Sequence, residues 1–260
     1  MKQLFILMLI YGILPGCSED EIPGEKTNPE QPVAMYVYCQ TNTGNILRRI
    51  EYVYDMGKLV SETTLIDNEI YSTTTFEYNS ALQLIRETYA TLLSTLEKSY
   101  EYNVANQLIN IIHKRTDYDM VGQVVNVQET EAPLEYENDL LVRKGEYWGG
   151  FSTYTYENGR LITMNEHTAS GQLHHITTYI YSGDLKVEEK KVTAAGAIIY
   201  IRIFQYDFRD RLTRITEGEH TIEVNTYLGN KLTEKKTYYF GIDPGFDVCY
   251  GNYIYKYEYQ

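Results

Sequence analysis

Histidines, cysteines, paired carboxylates and aromatics are the side chains through which this chain could do chemistry, and their spacing limits what that chemistry is. The five histidines, His113, His167, His174, His175 and His220, include no His-x-x-x-His or His-Glu-x-x-His spacing, the arrangements that set two imidazoles on one helix face for zinc. His174 and His175 are adjacent, and adjacent residues of a regular strand point to opposite faces. The pair is therefore expected at the surface, sharing no metal. Asp117/Asp119 and Asp243/Asp247 could meet in a loop, but neither brings the dense series of oxygen ligands that calcium takes. There is no Gly-x-Ser-x-Gly elbow and no Gly-rich loop to cradle phosphate. The expectation is a protein that is not an enzyme, holds no metal and needs no cofactor.

Two cysteines in the body of the chain, Cys39 and Cys249, lie near its opposite ends. A disulfide requires Cα atoms within about 7 Å, so a bridge would form only if those ends met. In an open sheet the two stay apart as small buried hydrophobes, and unpaired thiols are expected. Exposed aromatics are the remaining candidates for binding, because Tyr and Trp faces stack on sugar rings and on partner proteins. Trp148, preceded by Tyr147 and followed by Gly149, Gly150 and Phe151, is the most promising contact point, with Tyr147 and Phe151 beside it. The competing expectation is that these aromatics pack in the sheet.

Those residues have to be positioned by the rest of the chain, which repeats. Tyr154-Thr-Tyr-Glu-Asn-Gly-Arg-Leu161 carries two aromatics at i and i+2, a turn of Asp/Asn/Gly type, then Leu. Related copies occur at Tyr52–Leu59, Phe76–Leu84, Tyr100–Leu108, Leu134–Leu140, Tyr179–Leu185, Phe204–Leu212 and Asn225–Leu232. The second position of each pair falls at 54, 78, 102, 136, 156, 181, 206 and 227, a spacing of the kind that marks stacked arrays. Each copy reads as strand, tight turn, strand. In Leu96–Tyr102, for instance, Leu96, Lys98, Tyr100 and Tyr102 share one face. A second turn per unit is signalled at Asp67-Asn68, Ser170-Gly171 and Ala195-Gly196. No sustained helical period occurs. The fold class is all-β: an antiparallel β-hairpin repeat array of about sixteen to eighteen strands, forming a long twisted or coiled sheet over 34–260. Function, if local, is expected where the copies break, at Thr116–Glu131, Tyr147–Phe151 and Phe240–Cys249.

Composition agrees. With 27 Tyr against seven Phe and one Trp, the aromatics combine strand preference with a hydroxyl that wants water or a partner, which suits half-buried strands. The net charge of −13, without a concentrated basic face, makes nucleic acid an unsuitable partner and favours solubility on a crowded surface.

The first residues read as an address. Met1-Lys2 is a short basic start, and Leu4 to Leu14 is an apolar run of eleven residues, too short for a stable bilayer span and fitting a secretory signal. It ends in Leu14-Pro15-Gly16-Cys17, which resembles the lipobox of bacterial lipoproteins, although Pro15 stands where a small residue is more usual. The resemblance implies a signal peptide over 1–16, acylation of Cys17 on its thiol and amine, and a membrane partner through that lipid anchor. Several acyl chains hold stably where one does not. An ordinary cleaved signal is the alternative. Residues 17–33, with Pro23, Pro29 and Pro32, read as a flexible tether. Glu19-Asp20-Glu21 resembles the surface-export tag of lipoproteins in some gut and oral Gram-negative bacteria, implying an outer-membrane lipid anchor with cell-surface exposure.

The repeat itself resembles the YD repeat of RHS-type proteins. Phe204-Gln-Tyr-Asp-Phe-Arg-Asp-Arg-Leu-Thr-Arg-Ile-Thr216 matches most closely, and the likeness extends over about 36–260. The family's large members coil such sheets into shells around a cargo polypeptide; this chain has too few repeats for that. The resulting expectation is a surface-tethered, non-catalytic scaffold that binds a glycan or envelope protein or serves as an envelope component. A toxin-related repeat protein that sequesters or chaperones another polypeptide is the alternative. An outer-membrane barrel is a third reading, against which Lys186–Lys191 and Arg202–Arg214 place charge on both strand faces.

Overall fold

The computed structural model describes residues 31–39, 42–238 and 253–259. The signal segment 1–16, Cys17 and nearly all of the tether lie outside the described residues, as do Cys249 and the break at Phe240–Cys249. The tether expected over 17–33 ends slightly earlier, because the first strand begins at Pro32.

Among the described residues, eighteen strands follow one another without a helix between them. The first nine are β1 (Pro32–Cys39), β2 (Asn42–Asp55), β3 (Lys58–Ile66), β4 (Glu69–Tyr78), β5 (Leu84–Ala90), β6 (Ser94–Tyr102), β7 (Leu108–Tyr118), β8 (Val124–Glu137) and β9 (Leu140–Gly145). The second nine are β10 (Phe151–Glu157), β11 (Arg160–His167), β12 (Leu173–Ser182), β13 (Leu185–Thr193), β14 (Ile198–Tyr206), β15 (Leu212–Glu217), β16 (His220–Leu228), β17 (Lys231–Thr237) and β18 (Tyr253–Tyr259). Each strand pairs antiparallel with the next, and β1 pairs with both β2 and β18. The sheet therefore closes on itself. This corrects the expected long twisted or coiled open sheet: the all-β class and the strand count hold, but the ends join, with Val37 opposite Tyr255 and Cys39 opposite Tyr253. Closure removes the two free edges that an open array of this length would present.

Turn chemistry fixes the hairpins. Asn158 and Gly159 both have positive φ (51° and 78°), as do Asp67 and Asn68 (53° and 65°), the signature of the two-residue turn whose twist matches its strands. A longer turn recurs at 79–83, 103–107, 119–123 and 207–211. In it the first side chain, Asn79, Asn103, Asp119 or Asp207, accepts hydrogen bonds from two backbone N–H groups, those of Ala81 and Gln83 in the first case (2.9 and 3.0 Å). The fourth residue takes a left-handed φ, and at one turn it is Leu82, at 61°.

Within the repeated hairpin the register slips by one residue at the second aromatic, as at Val53/Tyr54, Glu77/Tyr78, Glu101/Tyr102 and Gln205/Tyr206. Such a bulge disrupts the ladder locally and increases twist. The displaced backbone is met by the tyrosine of the following unit: Tyr78 Oη donates to Leu59 O (3.0 Å), Tyr102 to Leu84 (2.8 Å), Tyr206 to Lys186 (2.8 Å), Tyr227 to Leu212 (3.0 Å) and Tyr259 to Leu232 (2.7 Å). The abundance of Tyr over Phe follows: the ring fills the inner wall, and the hydroxyl ties it to the repeat before.

The buried residues that cluster share one strand parity, which is the inner wall of the ring; Ala34 and Ile254 are buried on the other face where the ends join. Met35, Val37, Ile50, Tyr253 and Tyr255 pack where the ends join, and Leu59, Phe76, Leu84, Tyr100, Ile111 and Ala132 line β3 to β8. The inner wall is not purely apolar. Glu87 receives Tyr100 Oη (2.9 Å) and Lys98 Nζ (3.4 Å), and Lys235 pairs with Glu223 at 2.7 Å. Burial alone would raise the Glu189 carboxyl, but Lys186 (2.9 Å), the Tyr200 hydroxyl (2.7 Å) and Arg202 hold it below its usual range. Glu62 shows the opposite balance: burial, then the nearby charge of Glu87, pushes its carboxyl up to about 7. The outer wall carries Arg49–Glu51 (3.1 Å) on β2, Glu77–Arg86–Glu97 (3.2 and 3.8 Å) across β4 to β6, Glu135–Arg143 (3.0 Å) between β8 and β9, and Glu234–Lys236 (2.9 Å) on β17.

Candidate functional site

The repeats that obey the pattern build the wall, so the places where pairing fails are where the ring departs from a uniform surface. β7 and β8 are paired from Asn110↔Pro133 up to Tyr118↔Val124. On its other side β8 meets β9 only from Leu134↔Lys144 to Glu137↔Leu140. Among the described residues, Val124–Pro133 has no neighbour on that edge. The result is a notch in the ring, walled on one side by the upper half of β8.

The foot of the notch is closed by backbone contact. A Cβ on Gly145, the last residue of β9, would lie 2.6 Å from Pro133 Cδ and 3.2 Å from Ala132 Cα, so only glycine fits without a shift. Ala132 is almost fully buried. Pro133 brings no N–H, which suits the end of an unpaired edge. From Gly145 the chain turns through Glu146–Gly150, where Glu146 N–H donates to Gly150 O (2.9 Å) and Gly149 N–H to Glu146 O (2.8 Å). Ser152 Oγ donates to the Glu146 carboxylate at 2.9 Å and steadies the turn.

This turn holds the predicted contact residues, and the structure separates them. Tyr147 is 62% exposed and its ring lies 5.9 Å from that of His113, an inner-wall residue of β7. Trp148 is 50% exposed and lies across Gly150, whose own Cβ would fall 1.8 Å from the indole. Phe151 belongs to the outer wall: it stacks on His167 (4.6 Å, 9° between planes) and under Arg143 (4.3 Å). Tyr147 and Trp148 thus stand at the notch, whereas Phe151 sits in a cation–aromatic stack on the outside. Two of the expected breaks adjoin this seam: Thr116–Glu131 ends two residues before Pro133, and Tyr147–Phe151 begins two residues after Gly145.

The hairpin of β7 and β8 is stiffened beyond its ladder. Arg115 Nε and Asn126 Nδ2 both donate to Asp117 (2.9 and 3.1 Å); despite its partial burial, these bonds keep the Asp117 carboxyl below its ordinary range. Val124, Val125 and Val127 are 58%, 62% and 52% exposed, and Met120 and Val121 at the tip more so. Sequence reasoning placed no contact residue in this hairpin, although its valines alternate with polar residues in a strand that no repeat requires.

The adjacent histidines also depart from expectation. Glu166 opposes His175 and His167 opposes Leu173, so His174 is the extra residue of a bulge. The two rings lie 3.8 Å apart instead of on opposite faces. Burial, then Lys191 and the neighbouring His174, lowers the His175 pKa against the opposing pull of Glu166. Among the described residues, no group of three or more His, Cys, Asp or Glu is disposed to hold a metal ion, and no helix is long and apolar enough to cross a membrane.

No family model and no curated protein matches this chain. Among solved structures it is similar to a porin-like protein from Bacteroides uniformis at 12% identity and a TM-score of 0.38, covering 72% of this chain and 94% of that one. A DUF3836 family protein from Parabacteroides distasonis is matched at 15% identity and a TM-score of 0.25, over 33% of this chain and 89% of that one. The TcdB2–TccC3 structure lacking its hypervariable C-terminal region is matched at 12% identity and a TM-score of 0.26, over 75% of this chain and 13% of that one. Likenesses at this level are to the arrangement of strands.

Proposed function

We propose that the chain is a lipid-tethered, non-catalytic scaffold of a Gram-negative outer membrane, related to the YD-repeat proteins. It is attached through Cys17 and stands in water, and it binds a glycan or protein or serves as an envelope component. The observation that carries this reading is the outer wall. Arg86 lies mid-strand among Glu77 and Glu97, with side chains 46%, 52% and 35% exposed, and similar pairs recur on β2, β8–β9 and β17. A lipid-facing wall would have to place these charges in hydrocarbon, at roughly 2–4 kcal/mol for each Arg or Lys at the midplane. Water facing the ring removes that cost, and the acyl chains on Cys17 supply membrane attachment instead.

The alternative, sequestering another polypeptide, draws support from the inner wall. Glu166 and Lys191 pair there with 24% and 20% of their side chains exposed, so solvent reaches the inside of the ring.

The test is metabolic labelling with an alkyne-bearing palmitate in a Gram-negative host, followed by protease treatment of intact cells. Labelling that is lost in Cys17→Ser, with digestion of the ring from outside, supports a surface tether. Label-free protein, or a ring resistant to digestion until the membrane is dissolved, counts against it.

A further inference from the structure

The open edge of β8 is the longest stretch of unpaired strand backbone in the described ring. In an antiparallel ladder, alternate residues direct their N–H and C=O to the same neighbour. Half of the backbone groups of Val124–Ala132 therefore bond β7, and the other half face the notch. Nine residues at strand rise give an edge about 30 Å long. Proteins normally guard such an edge with charge or proline. Here Pro133 ends it and Glu129 and Glu131 lie along it, both exposed and outside every ion pair described. The guard is incomplete, because Val125 and Val127 on the same face as those glutamates are left in water.

We infer that this edge receives an extended polypeptide strand with basic side chains at alternate positions, which adds to the ring beside β8. The inference rests on the binding half of the scaffold reading and not on the lipid tether. Main-chain hydrogen bonds supply affinity in this mode, and alternate side chains supply choice of partner. Val125, Val127, Glu129 and Glu131 share the outer face, so a strand in register sets apolar side chains on the valines and Lys or Arg on the glutamates. A second copy of the same chain fits poorly: antiparallel self-pairing would bring two acidic edges together, between molecules that each carry a net charge of −13. The stiff hairpin, held by Arg115 and Asn126 on Asp117, reduces the ordering cost of docking. Tyr147 and Trp148 stand at the foot of the notch, where the incoming strand would end.

The test uses the full chain in mild detergent and a fluorescent peptide of about nine residues whose alternate positions are Lys, Lys, Val and Val in that order, with threonine between them, read by anisotropy. A second peptide carries a central proline, and a third replaces lysine by glutamate. The expected result is saturable binding of the first peptide, lost with the proline. The double variant Glu129→Lys/Glu131→Lys should weaken the lysine peptide by about tenfold or more and bind the glutamate peptide instead. Hydrogen exchange should show slowing of alternate amides in 124–132 on binding. Equal binding of the proline peptide would reveal attraction to the acidic surface alone, and would overturn the inference. So would no binding at all, self-association through β8 in its place, or retention of a glycan at Trp148 with the β8 amides unchanged. None of these outcomes bears on palmitate labelling of Cys17, so failure here is distinguishable from failure of the tether.

Discussion

Tyr102 donates its hydroxyl to the Leu84 carbonyl at 2.8 Å, from one repeat to the one before it. The same bond joins Tyr78 to Leu59 and Tyr227 to Leu212, so the ring is held by side chains that reach back across each hairpin as well as by its ladder. Tyr102→Phe keeps the ring and deletes the hydroxyl, leaving a carbonyl beside a bulge without that donor. A loss of about 1–2 kcal/mol is expected in urea denaturation, with a similar loss for Tyr78→Phe. An unchanged midpoint in both would show that water replaces the bond.

Leu82 occupies the left-handed position that glycine takes at 122 in the equivalent turn. A leucine there costs about 1–2 kcal/mol in backbone strain. Leu82→Gly is expected to stabilise the chain by about 1 kcal/mol, the loss of the unfolded chain's restriction taking back part of the gain. Thermal denaturation checks the sign.

Gly145 packs against Pro133 at a distance no Cβ tolerates. Gly145→Val should force β9 away from β8 where only four residue pairs join them, costing about 1–3 kcal/mol. Hydrogen exchange should localise the loosening to β8, β9 and β10. Uniform loosening around the whole ring would contradict a local seam.

Glu62 gives the pH dependence a direction. Its carboxyl titrates near 7 in the folded ring and near 4.3 in the unfolded chain. Folding is therefore favoured by the proton: this contribution is fully present below about pH 4 and is lost as pH rises through 7. Glu62→Gln should be more stable than the parent at pH 8, by about 2 kcal/mol after allowing for its partial exposure. The difference should vanish near pH 4. Denaturant midpoints across that range check it, and parallel curves would remove Glu62 from the account.

Much of this architecture is legible in the sequence because it is written locally. Asn158-Gly159 demands its turn, and Leu96, Lys98, Tyr100 and Tyr102 demand their common face, which the structure shows with Lys98 and Tyr100 both on Glu87. Closure is not written locally. Whether β18 finds β1 depends on twist summed over every hairpin, and on bulges such as that at Glu101/Tyr102, where an extra residue leaves the residue pattern unbroken. The same blindness set His174 opposite His175. The notch was half legible: irregular spacing marked Thr116–Glu131 and Tyr147–Phe151 as breaks, but the close approach of Gly145 to Pro133 beside them follows from a register that no residue type announces.

The central claim is that the ring faces water on its outside and depends on lipid for attachment. Residues 18–260, secreted behind an ordinary cleaved signal in place of 1–17, test it in one fractionation. The chain should then leave the membrane, appear folded in the soluble periplasmic fraction without detergent, and keep the strand-rich circular dichroism of the parent. Retention in the membrane through an alkaline carbonate wash, with extraction only by detergent, would show that the outer wall of Arg86, Arg143 and Lys236 meets lipid after all, and would contradict the account.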